Sequence, residues 1–281
     1  MTVSDEDGHP VPSATVSLSF SRPGGEGEYS TIRGTTGADG LFRADGISCW
    51  DVVWRAEKKG YYSFSSNLVL RPFLSVSGKD SGRWFRSPYP LQAILAKKGN
   101  PHEMRFHDVE IPLPAHGETV GFDCLEGLPT PPHGKGKRVD VEFSDVSGTD
   151  AWKPRSRKNC EATVRISFPG PRNGGRTVPV DPSSESHSPR FAPDDGFSGV
   201  LESTVRIVEG KYSDRDVIPP DQYILFRIRN ESLPDGTATN GLFGKMRGYW
   251  EASGPKRILR FKIWTNDEPG NRNLEDTSGW W

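Results

Sequence analysis

Methionine and cysteine are scarce in this chain, three of each in 281 residues. No stretch approaches the ~18–20 consecutive apolar residues that a membrane-spanning helix needs. Net charge is almost absent as well: 36 Lys and Arg against 37 Asp and Glu leave −1. That balance excludes general nucleic-acid affinity, which requires a strong positive field. No Cys-x-x-Cys or zinc-knuckle spacing occurs, which argues against a structural zinc site. The odd cysteine count leaves at least one thiol unpaired within the chain. No long run places apolar residues at helical spacing. No secretory leader precedes Val3, and the expectation is that Met1 opens a segment trimmed from an exported precursor.

What the chain has in quantity is glycine (31) and proline (24), about a fifth of its residues against a usual ~12%. They are spread as corners between short runs in which apolar and polar residues alternate. Ala14, Val16, Leu18 and Phe20 alternate with Thr15, Ser17 and Ser19, a strand with one face buried. Asp7-Gly8 turns the chain before it and Ala38-Asp39-Gly40 after it, leading into a second strand at Leu41-Phe42. Val52, Trp54 and Ala56 form a further inward row, and Lys59-Gly60 turns out of it. Leu68–Phe73 and Leu91–Ala96 complete this half, and Lys97-Lys98-Gly99-Asn100-Pro101 closes it. A first domain over 1–98 and a second over 99–281 follow. In the second, Met104–Leu113, Val120–Asp123, Val139–Phe143, Val164–Phe168, Val205–Ile207, Ile224–Ile228, Gly241–Trp250 and Leu259–Ile263 read as extended, with a long irregular section over 170–198 and a polar tail after Asn266. Strands at this spacing without intervening helices predict an all-β chain of two tandem antiparallel β-sandwiches.

The order DEDGHPVPSATVSLSF, TTGADGLF, WDVVWRAEKKGYY resembles the carboxypeptidase regulatory-like domain, a transthyretin-like β-sandwich of many exported bacterial proteins. In the second half PPHGKGKRVDVEF, FAPDDGF, GLFGKMRGYW and NDEPGNRNLED resemble an uncharacterised bacterial family with a β-rich module after such a domain. The resemblance implies a fold and an extracellular or periplasmic location. It implies no catalytic residue, since the regulatory-like domain is the non-catalytic partner of the peptidase.

Motifs that suggest chemistry have plainer readings. His107-Asp108-Val109-Glu110 fits the His-x-x-Glu of a zinc peptidase, yet residues three apart on a strand face opposite ways. Asp5-Glu6-Asp7-Gly8 opens like a calcium loop but lacks the later oxygen ligands, and reads as a turn. Asp194-Asp195 in the long loop is a cation candidate without identifiable partners. Gly134-Lys135-Gly136-Lys137 lacks the phosphate-loop pattern and reads as a basic hairpin. Neither a metal nor any other cofactor is expected. Cys124 and Cys160 can pair with each other or remain free thiols; both readings stay open.

Eight tryptophans and seven tyrosines remain. Trp54, Trp250 and Trp264 fall in strand patterns and are expected in the core. Trp84, Tyr89, Trp152, Trp280 and Trp281 lie in polar, loop-like surroundings and are the candidate binding residues, where flat rings can stack on a sugar. The expectation is a non-enzymatic exported module for adhesion, assembly or cell-envelope architecture, with protein partners or self-association ahead of glycan. The alternative is a carbohydrate-binding module.

Overall fold

The computed structural model describes residues 1–22, 28–48, 51–69, 90–113, 115–147, 159–179, 188–208, 211–216, 218–219, 222–231, 240–249 and 258–277. Among them the chain is all-β, with seventeen strands in four sheets and no helix. It divides into two compact units, Met1–Gly99 and the described residues from Asn100 on. The break falls one residue beyond the boundary expected from the Lys-Lys-Gly-Asn-Pro stop.

In the first unit β2 (Thr15–Ser21) lies between β3 (Tyr29–Thr35) and β4 (Asp51–Glu57), with β5 (Phe64–Val69) outside β4, all antiparallel. A second sheet pairs β1 (Thr2–Asp5) with β6 (Gln92–Leu95) in parallel. The period-2 rows meet between the sheets: Val16, Leu18, Phe20, Val52, Trp54 and Ala56 pack with Val3, Ala93 and Leu95. Each buried Val, Leu or Phe among them contributes about 1.5–3 kcal/mol of burial free energy. Trp54 ties the layers by donating Nε1–H to the Gln92 carbonyl at 2.8 Å. The expected second strand is misplaced: β3 is Tyr29–Thr35, and Leu41 makes only an isolated bridge to Thr2.

The second unit has a six-stranded and a five-stranded sheet. The first runs β14 (Lys211–Asp216), β13 (Val200–Val208), β11 (Asn159–Ser167), β10 (Val141–Asp145), β8 (Thr119–Asp123), β9 (Leu128–Pro129). The second runs β12 (Gly174–Val178), β15 (Tyr223–Ile228), β16 (Leu242–Tyr249), β17 (Ile258–Thr265), β7 (Arg105–Pro112). Their facing rows form one core, including Phe122, Phe143, Val164 and Ile166 from one sheet and Ile111, Phe226, Met246 and Phe261 from the other. Phe261 meets Phe122 and Phe143 at centroid distances of 5.4 and 5.3 Å, in the tilted and edge arrangements that aromatic quadrupoles favour. This is a face-to-face packing of antiparallel sheets.

One end of the five-stranded sheet is apolar on its other face too, while Arg260 and Lys262 lie exposed along the rest. Leu225, Phe243 and Trp264 pack there with Ala192 and Leu274 from the segments around 188–199 and 266–277. The section over 170–198 is therefore not wholly irregular: β12 lies within it, and its later part covers a sheet. The tail after Asn266 is likewise a packed strap, with Leu274, Glu275 and Asp276 all at 3% exposure or less. Alternation marks a strand with one wet face, so it could not reveal the end of a sheet covered on both.

Candidate functional site

Chemistry-bearing side chains gather at three places: one end of the sandwich in the second unit, the floor beneath its C-terminal strap, and the surface of the first unit.

At the end of β8 the chain places Asp123, buried to 1% exposure. Its Oδ1 accepts the N–H groups of Leu125 and Glu126 at 3.1 and 3.2 Å, and its Oδ2 those of Lys137 and Arg138 at 2.9 and 3.1 Å. Arg229, just past β15 and at φ 54°, donates Nη2 to Asp123 Oδ1 at 2.9 Å and to Asp140 Oδ2 at 2.7 Å, and Nε to Asp140 Oδ1 at 2.8 Å. Asp140 also accepts the Cys124 N–H at 3.0 Å. Burial pushes the Asp123 pKa up, but the backbone donors and the Arg229 charge outweigh it and hold the carboxyl below its ordinary value. The Asp140 hydrogen bond holds Arg229 above its own. This is a closed lattice of satisfied groups that staples β8, the 123–138 hairpin and the end of β15. The hairpin contains the Gly134-Lys135-Gly136 run. A Cβ on Gly136 would stand 2.6 Å from the Leu128 carbonyl oxygen, so the run serves a tight return.

Cys124 is a buried free thiol, its pKa driven well up, chiefly by burial and then by Asp140. The Cys124–Cys160 pairing is therefore corrected. The register explains why. Phe122 stands opposite Val141, Asp145 opposite Val164, and Cys160 opposite Ile207, which puts the two cysteines near opposite ends of the sheet. A disulfide needs Cα atoms within about 7 Å.

Under the strap, Lys245 of β16 is fully buried. Its Nζ donates to the Leu274 carbonyl at 2.6 Å and lies 5.6 Å from the Trp264 ring centroid. Burial lowers its pKa to about 7, against the opposing pull of Asp276 and then Glu275. Asp276 Oδ1 accepts the Met104 N–H at 3.2 Å, and Glu275 lies 3.8 Å from Arg190. His102 bridges to Asp276 through the backbone, and both its ring nitrogens are buried without a hydrogen-bond partner. No sequence motif marked this cluster. Lys245 shows only as a cation in the apolar stretch GLFGKM.

On the first unit an open groove of about 460 Å³ is lined by Thr15, Glu57, Lys58, Lys59, Tyr61 and Ser63. Asp5, Asp7 and His9 bring ligand-type atoms within 4.8 Å of one another. Asp5 Oδ1 is already engaged by the N–H groups of Asp7 and His9 at 3.1 and 2.8 Å, as the turn reading requires.

Other sequence candidates fall as follows. His107 and Glu110 are both on β7, with no shared role: His107 Nε2 contacts the Leu125 carbonyl at 3.0 Å, while Glu110 pairs with Arg260 at 2.8 Å. Asp194 is bound by Arg272, and its carbonyl accepts from Arg227 at 3.3 Å. Trp54 and Trp264 are core residues. Trp84, Tyr89, Trp152, Trp280 and Trp281 lie outside the described residues, as do Cys49 and Trp250.

No protein-family model, curated protein or solved structure matches the chain.

The strand edges differ between the units. In the second, β14 reads KYSDRD, and β9 is two residues ending in Pro129. β12 is bridged by Ser198 through hydrogen bonds of 2.8 and 2.9 Å. β7 ends in Pro112 and carries Arg105, Asp108 and Glu110. Each is a known way of blunting an edge. In the first unit β3 reads YSTIRGT, seven residues with one charge and no proline, and forms the outer strand of its sheet. Among the described residues no backbone hydrogen bond reaches its outer side.

Proposed function

We propose that this chain is an exported, non-catalytic module of adhesion or assembly, and that it associates with a second copy by pairing β3 against β3. The observation that carries this reading is the β3 edge, seven residues with one charge and no proline, whose outer side no backbone hydrogen bond reaches among the described residues. An edge strand with free backbone groups is a template for another strand, with main-chain hydrogen bonds supplying affinity. The sequence of β3 suits self-pairing. With antiparallel strands centred on Ile32, Arg33 falls opposite Thr31 and Tyr29 opposite Thr35. The single charge never faces its own copy, and the β-branched and aromatic residues make the cross-strand pairs that stabilise sheets. The resemblance of the first unit to regulatory-like domains supports the exported placement.

Mass determination by light scattering across a concentration series tests this. A concentration-dependent dimer is expected, and Thr31→Lys, which places a charge beside Arg33 of the second copy, should return it to a monomer. A monomer at every concentration overturns self-pairing. The polar groove at Glu57, Lys58 and Lys59 supports a second reading, a site for a hydroxyl-rich glycan. Retention of the monomer on a polysaccharide gel would favour that reading.

A further inference from the structure

We infer that the groove on the first unit, with two Lys-Lys-Gly turns that the fold joins beside it, binds an acidic polysaccharide whose carboxylates are spaced by neutral, hydroxyl-bearing sugar. The inference rests on the second, glycan reading of this groove and not on the pairing of β3. Lys58-Lys59-Gly60 and Lys97-Lys98-Gly99 are far apart in the sequence. In the fold they are neighbours. The Lys98 N–H donates to the Gly60 carbonyl at 2.9 Å, the Tyr62 N–H donates to the Ala96 carbonyl at 2.8 Å, and Tyr61 and Lys97 form an antiparallel bridge. Cross-strand partners project to the same side, so Lys97 stands beside Tyr61, which lines the groove.

The cations gathered here are not spent on carboxylates. Lys58 Nζ is held on the Pro12 carbonyl, which fixes the ammonium in place without cancelling its charge. Lys59 is exposed, and Lys98 Nζ lies 5.2 Å from the Tyr62 ring centroid. Among the described residues no carboxylate forms an ion pair with Lys58, Lys59 or Lys98. In the second unit, by contrast, Arg105, Lys137, Arg138, Arg165 and Arg260 each face an acid.

The lining of the groove selects the kind of anion. Its volume of about 460 Å³ falls within the ~300–1,000 Å³ usual for small-ligand sites. Thr15, Glu57, Lys58, Lys59, Tyr61 and Ser63 line it, with no aliphatic side chain among them. A peptide partner would find no pocket for an apolar anchor. Two ammonium groups donate to an acid group, and the three hydroxyls both donate to and accept from sugar hydroxyls. Glu57, as a carboxylate, only accepts, so it takes a sugar O–H and repels a ligand charged at every step. Duplex nucleic acid, with one charge per ~1.7 Å, would set phosphates against it. A uronate chain can turn its carboxylates to the lysines and its hydroxyls to Glu57. Because the groove is open, such a chain can lie through it.

Retention of the full chain on three immobilised polymers tests this: polygalacturonate, its methyl-esterified form, which keeps the sugars and masks the charge, and polyphosphate. Retention on polygalacturonate, lost as salt rises, is expected. Binding to the esterified form should be roughly tenfold weaker, the worth of two or three exposed ion pairs, and polyphosphate should also bind more weakly. Lys59→Gln and Lys97→Gln, both at exposed positions, should each weaken retention about two- to fivefold. Lys135→Gln in the second unit should leave it unchanged. Equal retention on the esterified polymer overturns the inference and leaves the glycan reading of the groove standing. No retention on either sugar polymer overturns both. Polyphosphate binding as tight as polygalacturonate overturns the inference by showing a general anion surface. Full retention by the Lys59→Gln, Lys97→Gln double variant overturns it by placing the site elsewhere.

Discussion

The two units solve the same packing problem with different degrees of closure. The second stacks six strands on five and then covers one end of the outer face of the five with a loop and a strap, so Leu225, Phe243 and Trp264 are as dry as the central core. Its sheet edges end in charge, proline or a bridging loop. The first sets four strands against two, and among the described residues no backbone hydrogen bond reaches the outer side of β3. The contrast teaches where interaction can occur. A unit with one end of a sheet buried on both faces and its edges blunted is built to persist. In the small first unit, the β3 edge is where the proposed pairing would fall.

Breaking the ion lattice should have the largest effect. Arg229→Met leaves Asp123 and Asp140 buried without their cation, and such a loss costs about 3–5 kcal/mol. Chemical denaturation should show a lower midpoint for the second unit, followed by Trp264 emission, and an unchanged first unit. Phe122→Ala removes a ring that packs on Phe143 and Phe261 and should cost about 3–5 kcal/mol. Leu18→Ala in the thinner core of the first unit should fall toward the lower end of the ~2–5 kcal/mol range for such changes. If both substitutions cost the same, the contrast in closure is wrong.

Acid sharpens the comparison. The folded pKa of Asp123 lies below its unfolded value, so between the two the unfolded chain binds more protons and stability rises with pH. The contribution of Asp123 is fully present above the unfolded value of ~3.9 and is lost as pH falls through the folded one. The second unit should therefore lose stability on acidification below about pH 4, and Asp123→Asn should flatten that dependence. Cys124 should resist thiol reagents at neutral pH until the second unit unfolds, because its thiol is buried and its pKa raised. Thr31→Lys should change stability least, within about 0.5 kcal/mol as for other exposed sites, while abolishing dimerisation.

How much of this was legible depended on what each residue packs against. Val16, Leu18, Val52 and Trp54 each have one wet neighbour on either side, so their alternation showed in the sequence and the strands fell where expected. β12 begins with Gly174-Gly175, whose lack of side chains erases any pattern, and the surrounding prolines read as loop. β3 follows a glycine-rich gap and carries Ile32 as its one aliphatic residue, too little to mark a strand. Asp123, Asp140 and Arg229 are separated by up to 106 positions, and nothing local joins them. The strap looked polar because Asn266, Asn271 and Asn273 satisfy backbone groups within it: Asn266 donates to the carbonyls of Asn271 and Asn273 at 3.2 and 2.9 Å. Polar residues spent on their own backbone look, in one dimension, like residues spent on water.

Hydrogen exchange of the full chain at low and high concentration tests the central claim most directly. The amides of Tyr29–Thr35 should gain protection as concentration rises, while those of β7, β9, β12 and β14 stay unchanged. Protection gained at an edge of the second unit, or none anywhere while the mass doubles, would contradict the account.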